Sequence, residues 1–282
     1  MKWSMNKTEV KAMYLLQSKK MTVLELANAL SKSVSWTSEC IHHLEKMGFV
    51  KTEKMKNYVY VSLTMNAMGQ SLIVLMKEEP MLNLESMFTR SGLIVLPLLL
   101  TPGCSAKELV DRSKLSKRTV KGLLPRWKRM GVVLQEEGKY LINPRYKLLT
   151  NFLRKFSEHK NAYILNNIYP QGVIVWQWRD EFIFSLDQKI DDPRFIPAGI
   201  TRLDEYNFNL VHVNEYFLHD PCTKIVTKEE AMVQAFHIDQ KNPRISRLFN
   251  IYNHDLNYKK LFEYANKYGV KTKIKGIMKA DD

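Results

Sequence analysis

Cysteines are few in this sequence, and long apolar runs are missing. The three cysteines, Cys40, Cys104 and Cys222, are widely spaced and form no Cys-x-x-Cys pair, which argues against a structural zinc site built on thiolates. The most apolar stretch, residues 93–100, contains Pro97 and is too short to span a bilayer. The first residues also lack the apolar run of a signal peptide. We therefore expect a reduced, cytoplasmic protein with no membrane association.

The sequence also lacks the patterns that usually mark a catalytic site. Its eleven glycines are scattered and form no phosphate-binding loop. The carboxylates of the second half match neither a Gly-Ser-x-Asp-x-Asp motif nor the Glu-x-Lys strand of nucleases. His212, His219 and Cys222 lie within eleven residues and could bind a metal ion, although surface or core positions suit them better. We therefore predict no catalytic residues, no metal site and no cofactor.

Positive charge is abundant and unevenly distributed. The formal net charge is +14, and residues 1–150 contain 24 basic and 12 acidic side chains. Residues 151–282 contain 19 basic and 17 acidic side chains, so nearly all of the excess lies in the first half. A localised basic excess is what a polyanion-binding surface requires, because each phosphate contact releases condensed counterions. A solubilising surface is the alternative interpretation of the same charge.

The first half contains an internal repeat with a spacing of 83 residues. Residues 22–50 align without gaps on residues 105–133, and both copies contain the sequence Met-Gly near their ends. Thr22-x-x-Glu25 and Ser105-x-x-Glu108 are capping-box motifs. Each motif predicts the start of a short amphipathic helix.

A second helix is predicted after each capped one. It begins near Ser33 or Ser35 in the first copy and near Ser116 in the second, and it ends at Gly48 and Gly131, which suit left-handed C-caps. The flanking predictions are helices at 9–16 and 86–100, strands at 49–52, 58–63, 132–134 and 139–143, and turns at 53–57 and 136–138. The order helix, helix, helix, strand, strand thus occurs twice.

The segment His43-Leu-Glu-Lys-Met-Gly-Phe-Val-Lys51 closes the third helix and begins the first hairpin. This segment, with the element order around it, resembles the winged helix-turn-helix of MarR/ArsR-type regulators. The resemblance covers residues 6–65 and, with fewer matches, 86–145. It implies an α+β protein with two winged helix-turn-helix domains, at 1–70 and 71–145, followed by a mixed α+β domain at 146–282. Winged helices also serve as protein–protein modules, which is the alternative for either copy.

The third helix of a winged helix-turn-helix lies in the major groove, where its N-terminal residues reach base edges. The resemblance therefore implies DNA contacts in both third helices and in the first wing. These are Ser35, Trp36, Thr37, Ser38 and His42 in the first helix, Lys51, Lys54 and Lys56 in the first wing, and Lys117, Arg118, Thr119, Lys121, Arg126 and Lys128 in the second helix. Arg118 suits guanine, whereas Lys117 and Lys121 suit phosphates.

The second copy departs from the pattern at two places. Glu136 and Glu137 form the tip of its wing and would be repelled by phosphate. Pro125 lies inside its third helix and predicts a kink, because proline removes a hydrogen bond and clashes with the preceding turn. Trp127 and Arg129 are expected to extend the basic face of this helix. The second copy therefore has the more cationic helix and the first copy the more basic wing.

The second half has the pattern of an α+β domain. Its predicted elements are a linking helix at 146–159, strands at 172–178, 181–186 and 209–213, and helices at 227–236 and 258–268. Thr227-x-x-Glu230 is a third capping-box motif. Residues 224–237 and 256–261 resemble the C-terminal domain of AbiEi-type antitoxin and transcriptional regulators, which is related to nucleotidyltransferases.

These features together favour a sequence-specific regulator of transcription that binds double-stranded DNA and is not an enzyme. We expect a homodimer whose C-terminal domain dimerises, senses a signal or binds a protein partner. A plasmid or viral replication initiator that reads repeated origin sites is one alternative, since tandem winged helices also suit that task. A nucleotide-handling enzyme domain targeted to DNA by the winged helices is another.

Overall fold

The computed structural model divides the chain into two compact units, residues 1–160 and residues 161–282. The residues that the structure describes are 3–208, 210, 212–223 and 225–279, with the side chains of residues 253 and 279 excepted. Both units contain helices and antiparallel sheet, which confirms the predicted α+β class. Within the described residues, no helix combines the length and the apolar composition that crossing a membrane requires.

The first unit begins with three helices and a three-stranded antiparallel sheet. These elements are α1 (Lys7–Ser18), β1 (Met21–Thr22), α2 (Val23–Leu30), α3 (Val34–Lys46), β2 (Val50–Met55) and β3 (Tyr58–Leu63). The sheet order is β1-β3-β2, so β3 pairs with both neighbours. Helix α2 starts at the predicted capping box, in which Glu25 N donates to Thr22 Oγ1 over 3.2 Å and Thr22 N donates to Glu25 Oε2 over 2.7 Å. The hairpin turn is shorter than predicted, because residues 53–55 pair with β3.

The rest of the first unit has several helical segments and then repeats the order strand, helix, helix, strand, strand. Its elements are α4 (Ala67–Glu78), α5 (Leu84–Phe88), α6 (Gly92–Val95), a 3-10 turn (Leu96–Leu99), β4 (Cys104–Ser105), α7 (Ala106–Ser113), α8 (Lys117–Arg129), β5 (Val133–Glu136) and β6 (Lys139–Ile142). The sheet order β4-β6-β5 repeats that of the first sheet. The capping box of Ser105 and Glu108 is formed, with bonds of 3.2 and 2.7 Å.

The predicted single helix at 86–100 is wrong. Helix α5 ends before Thr89, whose backbone is extended, and Arg90 has a left-handed φ of 57°. Backbone in these two conformations cannot continue an α-helix. The apolar stretch that follows forms only the short α6 and a 3-10 turn around Pro97, which has no N–H to donate.

Both predicted glycine C-caps are present. Gly48 and Gly131 have left-handed φ values of 78° and 69°. Phe49 N donates to Leu44 O over 2.9 Å, which is the long bond of a Schellman motif, and the equivalent bond around Gly131 measures 3.0 Å. These bonds turn the chain from each third helix into the hairpin that follows it.

Helix α9 (Lys147–Asn166), which is longer than the predicted linking helix, supplies aromatic side chains to the core of the first unit. Phe152 packs against Phe88, with ring centroids 5.2 Å apart, and Phe156 stacks on Phe49 at 6.0 Å. All four rings are buried. Because Phe49 follows α3 and Phe88 ends α5, helix α9 contacts both copies of the repeat and joins them in one core.

The second unit is a four-stranded antiparallel sheet with several helices. Its elements are β7 (Val173–Trp178), β8 (Glu181–Leu186), β9 (Ile196–Pro197), α10 (Gly199–Asp204), β10 (Glu215–His219), α11 (Lys228–Ile238), α12 (Pro243–Ile251), a 3-10 turn (Asn253–Asp255), α13 (Tyr258–Lys267) and α14 (Lys271–Lys279). The sheet order β7-β8-β10-β9 makes β8 and β10 the central strands. Apolar clusters cover both faces: Ile183 and Leu218 belong to one, and Phe184 and Phe217 to the other.

One predicted strand of the second half is misplaced. Residues 210, 212 and 213 are not in a strand, and Asn209 and Val211 lie outside the described residues, as does Lys224 at the start of the AbiEi-like segment. The strand in this part of the chain is instead β10, one of the two central strands, in which the consecutive residues Phe217 and Leu218 are both buried. A strand with both faces covered loses the period-two alternation from which strands are predicted.

Candidate nucleic-acid interface

Helix α3 presents a narrow polar face after a tight turn. Ser31 adopts a left-handed φ of 54° between α2 and α3. Ser33 then caps α3 by accepting a backbone N–H of the first turn over 3.2 Å. Ser35, Ser38 and His42 are exposed and lie at spacings of three and four residues. The structure therefore brings these three predicted contacts onto one side of the helix.

Two other predicted contacts of α3 do not lie on this face. Thr37 is fully buried and its hydroxyl donates to the carbonyl of Ser33 over 2.9 Å, so its predicted DNA contact is wrong. Position 37 shares the helical period of the α3 residues that form the core. Trp36 is half-buried, and Lys32 Nζ lies 5.7 Å from the centroid of its ring.

Helix α8 presents a cationic face at the equivalent place. Ser116 caps it by accepting from Thr119 N over 3.1 Å, and the half-buried Thr119 has its hydroxyl 2.9 Å from Ser116 Oγ. Lys117, Arg118 and Lys121 are exposed near the start of the helix, where the first turn has no acidic residue. Cations at a helix N-terminus oppose the macrodipole and destabilise the free helix. A bound phosphate would compensate both the cations and the dipole.

The middle of this α8 face has little side-chain volume. Gly122 and Pro125 are exposed there, and the helix runs unbroken through Pro125. Trp127 is fully buried, so its predicted place on the basic face is wrong. Lys128 is exposed and donates to Gln135 Oε1 over 2.9 Å, which connects α8 to strand β5.

The first hairpin exposes its three lysines in different directions. Lys51 and Lys54 are three residues apart in β2, so their side chains leave opposite faces of the hairpin. Thr52 shares a face with Lys54, and its hydroxyl and backbone N–H donate to Glu45 Oε1 of α3 over 2.7 and 3.0 Å. Lys56 occupies the turn with a φ of 53°. Lys54 therefore lies on the α3 side of the hairpin, and Lys51 lies on the other side.

The second hairpin is shorter and has an acidic tip. Glu137 and Gly138 have φ values of 47° and 78°, as a two-residue type I′ turn requires. Glu136 pairs in register with Lys139, so one acidic side chain has a cation opposite it. The charge of this tip does not suit contact with phosphate.

Arg126 lines a cleft together with residues of α1 and α3. The cleft has a volume of about 600 Å³ and is also lined by His43, Glu9 and Arg90. His43 Nδ1 lies 2.7 Å from Glu9 Oε1. The sequence pattern does not predict that Arg126 lies beside these residues, although a shift of 83 aligns His43 with Arg126.

The histidines that were candidates for a metal site have other surroundings. His212 bonds to Asp204 Oδ2 over 2.8 Å and to Asn214 O over 2.9 Å. Burial lowers the pKa of His212, but these two bonds outweigh burial and hold the pKa above its ordinary value. The ring centroid of His219 lies 4.9 Å from that of Phe182. Across the described part of the chain, no group of three His, Cys, Asp or Glu side chains could hold a metal ion.

A buried ionic network connects the sheet of the second unit to two of its helices. Lys267 Nζ lies 2.8 Å from Glu181 Oε2 and 3.2 Å from Glu230 Oε1. Burial lowers the pKa of Lys267, but attraction by the two carboxylates outweighs burial and raises the pKa above its ordinary value. Tyr268 OH donates to Glu230 Oε1 over 2.8 Å and accepts from Gln234 Nε2 over 2.7 Å. Both carboxylates thus have partners inside the unit.

The third predicted capping box is only half formed. Glu230 N donates to Thr227 Oγ1 over 3.3 Å, as predicted. The Glu230 carboxylate, however, does not return to the cap, because Lys267 and Tyr268 bind it. Contacts with residues distant in sequence have thus replaced the local bond from the Glu230 carboxylate to the helix cap.

Comparison with known proteins identifies the first helix-turn-helix. Residues 6–52, from the cap of α1 into strand β2, match the family model described as bacterial regulatory protein, ArsR family. A search of curated proteins found no match. The first unit therefore contains a helix-turn-helix of the ArsR type, which confirms the predicted class of domain in this part of the chain.

Proposed function

We propose that this protein is a transcription regulator that binds double-stranded DNA through its first unit. The observation that carries the proposal is the ArsR-type match at residues 6–52, in which Ser35, Ser38 and His42 share the exposed face of α3. Side chains at these positions of a recognition helix reach base edges in the major groove. Lys54, on the α3 side of the hairpin, is placed to contact a neighbouring phosphate.

The proposal includes a second winged helix within residues 71–145. The sheet order β4-β6-β5, the Ser105 capping box and the chain reversal at Gly131 support it. Helix α8 exposes cations where α3 exposes hydroxyls and an imidazole. The second copy would therefore supply most of the electrostatic attraction to phosphates. The first copy would supply more of the uncharged contacts to base edges.

We assign the second unit a regulatory role and not a catalytic one. Its central carboxylates, Glu181 and Glu230, are held by Lys267, which leaves them poorly suited to act on a substrate. In this proposal the unit dimerises the protein, senses a signal or binds a protein partner. The regulator would act as a homodimer in the cytoplasm.

Binding to genomic DNA fragments at several salt concentrations tests the proposed function. If four to six exposed lysines and arginines contact phosphates, the log–log slope of the binding constant against salt should be about −4 to −5. A slope near zero, or no binding at low salt, would contradict the proposal. Footprints at promoters are expected, whereas footprints confined to direct repeats at a replication origin would assign the protein to replication initiation.

We expect Gly122→Ala to stabilise the protein and to weaken DNA binding. Outside the backbone of its own helix, no atom lies within 4 Å of the position that the new Cβ would occupy. Alanine favours helix over glycine by about 1 kcal/mol, so thermal unfolding should show a higher midpoint. The added methyl would separate the α8 backbone from the DNA. A more stable variant with unchanged affinity would show that DNA does not approach α8 at this point.

A further inference from the structure

The cleft beside Arg126 has the size of a ligand site. Its volume of about 600 Å³ falls within the range of roughly 300–1,000 Å³ that is typical of small-molecule pockets. Residues of the α1 cap, of α3, of the α5–α6 junction and of α8 line it. The cleft therefore lies within the first unit, between the two copies of the repeat.

Sequence-equivalent residues of both copies meet in this cleft. Three pairs of lining residues are related by the spacing of 83: Asn6 and Thr89, Lys7 and Arg90, and His43 and Arg126. The first copy contributes the cap and the first residue of α1, and the second copy contributes two residues between α5 and α6. Each copy also contributes one residue of its third helix. Three of the six side chains are lysine or arginine. Positive charge is therefore concentrated where the two copies meet.

The backbone fixes the two sides of the cleft relative to each other. Met5 and Thr89 form a parallel bridge, and Arg90 N donates to Met5 O over 2.7 Å. This bond holds Arg90 at its left-handed φ of 57°. The position of the Arg90 backbone is therefore set by a contact between both copies.

The acidic residues around the cleft already have partners. Glu9 Oε2 accepts from Asn6 N over 2.6 Å, and Glu9 Oε1 lies 2.7 Å from His43 Nδ1. Glu85 lies 3.1 Å from Lys7 Nζ. Within the described residues, by contrast, no carboxylate lies within ion-pair distance of Arg90 or Arg126. Both guanidinium groups are exposed and retain their hydrogen-bonding capacity.

We propose that Arg90 and Arg126 bind a phosphate group in this cleft. Guanidinium groups match the geometry of phosphate oxygens and form short, charge-assisted hydrogen bonds with them. The phosphate belongs either to a small phosphorylated molecule or to the backbone of bound DNA, and only the second source rests on the proposed function. Both sources present the same phosphate oxygens to the two arginines, and two measurements distinguish them.

The first measurement uses inorganic phosphate and the full-length protein without DNA. Thermal unfolding is compared in phosphate and in chloride at matched ionic strength, because a ligand that binds the native state raises the midpoint. For a small-molecule site, we expect the wild type to gain several degrees in phosphate. The variant Arg90→Gln with Arg126→Gln should gain none, and Arg90→Lys with Arg126→Lys should recover part of the gain. The matched control, Arg244→Gln with Arg247→Gln, changes two exposed arginines of the second unit and should behave as the wild type.

The second measurement uses duplex DNA and the same variants. For a backbone phosphate, we expect no stabilisation by inorganic phosphate, a five- to fiftyfold loss of DNA affinity in the Arg90–Arg126 glutamine variant and a salt slope shallower by about two. If the wild type binds no DNA, the proposed function fails. The measurement with inorganic phosphate then decides by itself whether Arg90 and Arg126 bind a phosphate group. The cleft proposal is overturned if the glutamine variant matches the wild type in both measurements, or if phosphate stabilises both proteins equally.

Discussion

Replacing Lys117 and Arg118 by alanine should weaken DNA binding roughly 30- to 1,000-fold, which corresponds to a loss of about 2 to 4 kcal/mol. Both side chains are exposed at the start of α8, where the helix dipole adds to their attraction for phosphate. Arg118 can also form a bidentate contact with guanine, so selectivity should relax at one position of the site. Titrations of a labelled duplex at fixed salt measure the affinity, and the salt slope should fall by one or two.

Two control variants show whether the position or the charge matters. The residues equivalent to Lys117 and Arg118 in the first copy are Val34 and Ser35, and their replacement by alanine removes no charge. Replacing Lys259 and Lys260 by alanine removes two exposed charges from the second unit. The lysine control should bind DNA within a few fold of the wild type. The Val34–Ser35 variant loses one uncharged contact and should therefore lose less affinity than the Lys117–Arg118 variant.

A further comparison ranks the two helices. Trp36→Ala with Ser38→Ala should weaken binding less than the Lys117–Arg118 alanine variant, because Trp36 is half-buried and a serine contact carries no charge. The opposite ranking would contradict the assignment of most affinity to α8. It would instead make α3 the principal reader of the DNA.

Replacing Lys267 by methionine should lower the free energy of unfolding of the second unit by about 3 to 5 kcal/mol. The change leaves Glu181 and Glu230 buried near each other without the cation that joins them at 2.8 and 3.2 Å. Because methionine fills a similar volume, the loss of unfolding free energy would reflect the missing charge more than a change in packing. Chemical denaturation at neutral pH measures the effect. Lys259→Met, on the exposed side of the same helix, is the control and should change stability little.

The pH dependence of this variant separates an electrostatic cause from a packing defect. The folded protein raises the pKa of Lys267, so the stability that its charge contributes is complete below its unfolded pKa of 10.5 and is lost as the pH rises through the higher folded value. The difference in stability between wild type and variant should therefore be complete at neutral pH and should shrink above pH 10.5. A difference that stays constant as the pH rises from 7 to above 11 would contradict the electrostatic explanation.

The three capping-box motifs show which contacts a sequence can predict. The boxes at Thr22 and Ser105 are complete, because their exposed glutamates have the adjacent cap as a partner. Glu230 has the same local spacing but is buried, and its carboxylate is bound by residues 37 and 38 positions further along the chain. The local hydrogen bonds of the two exposed boxes follow from their spacing, whereas the buried Glu230 takes the partners that tertiary packing brings to it.

The candidate DNA contacts also show that the ends of a helix can be predicted from sequence, whereas the exposure of its side chains cannot. The start of each third helix and its glycine stop follow from the repeat, and the structure has both. Which side of the helix faces outward depends on packing, so Thr37 and Trp127, counted among exposed residues from sequence, lie in the core. The cleft around Arg126 required the folded chain, because Arg90 reaches it only where the expected long helix is interrupted.

The two hairpins of the first unit differ in length. Strands β2 and β3 have six residues each, and β5 and β6 have four each. At roughly 3.4 Å per residue, the first hairpin reaches about 7 Å further from its sheet, which is close to two base-pair steps of B-DNA. In the proposed function, the first hairpin would therefore reach DNA that lies beyond the span of the second hairpin.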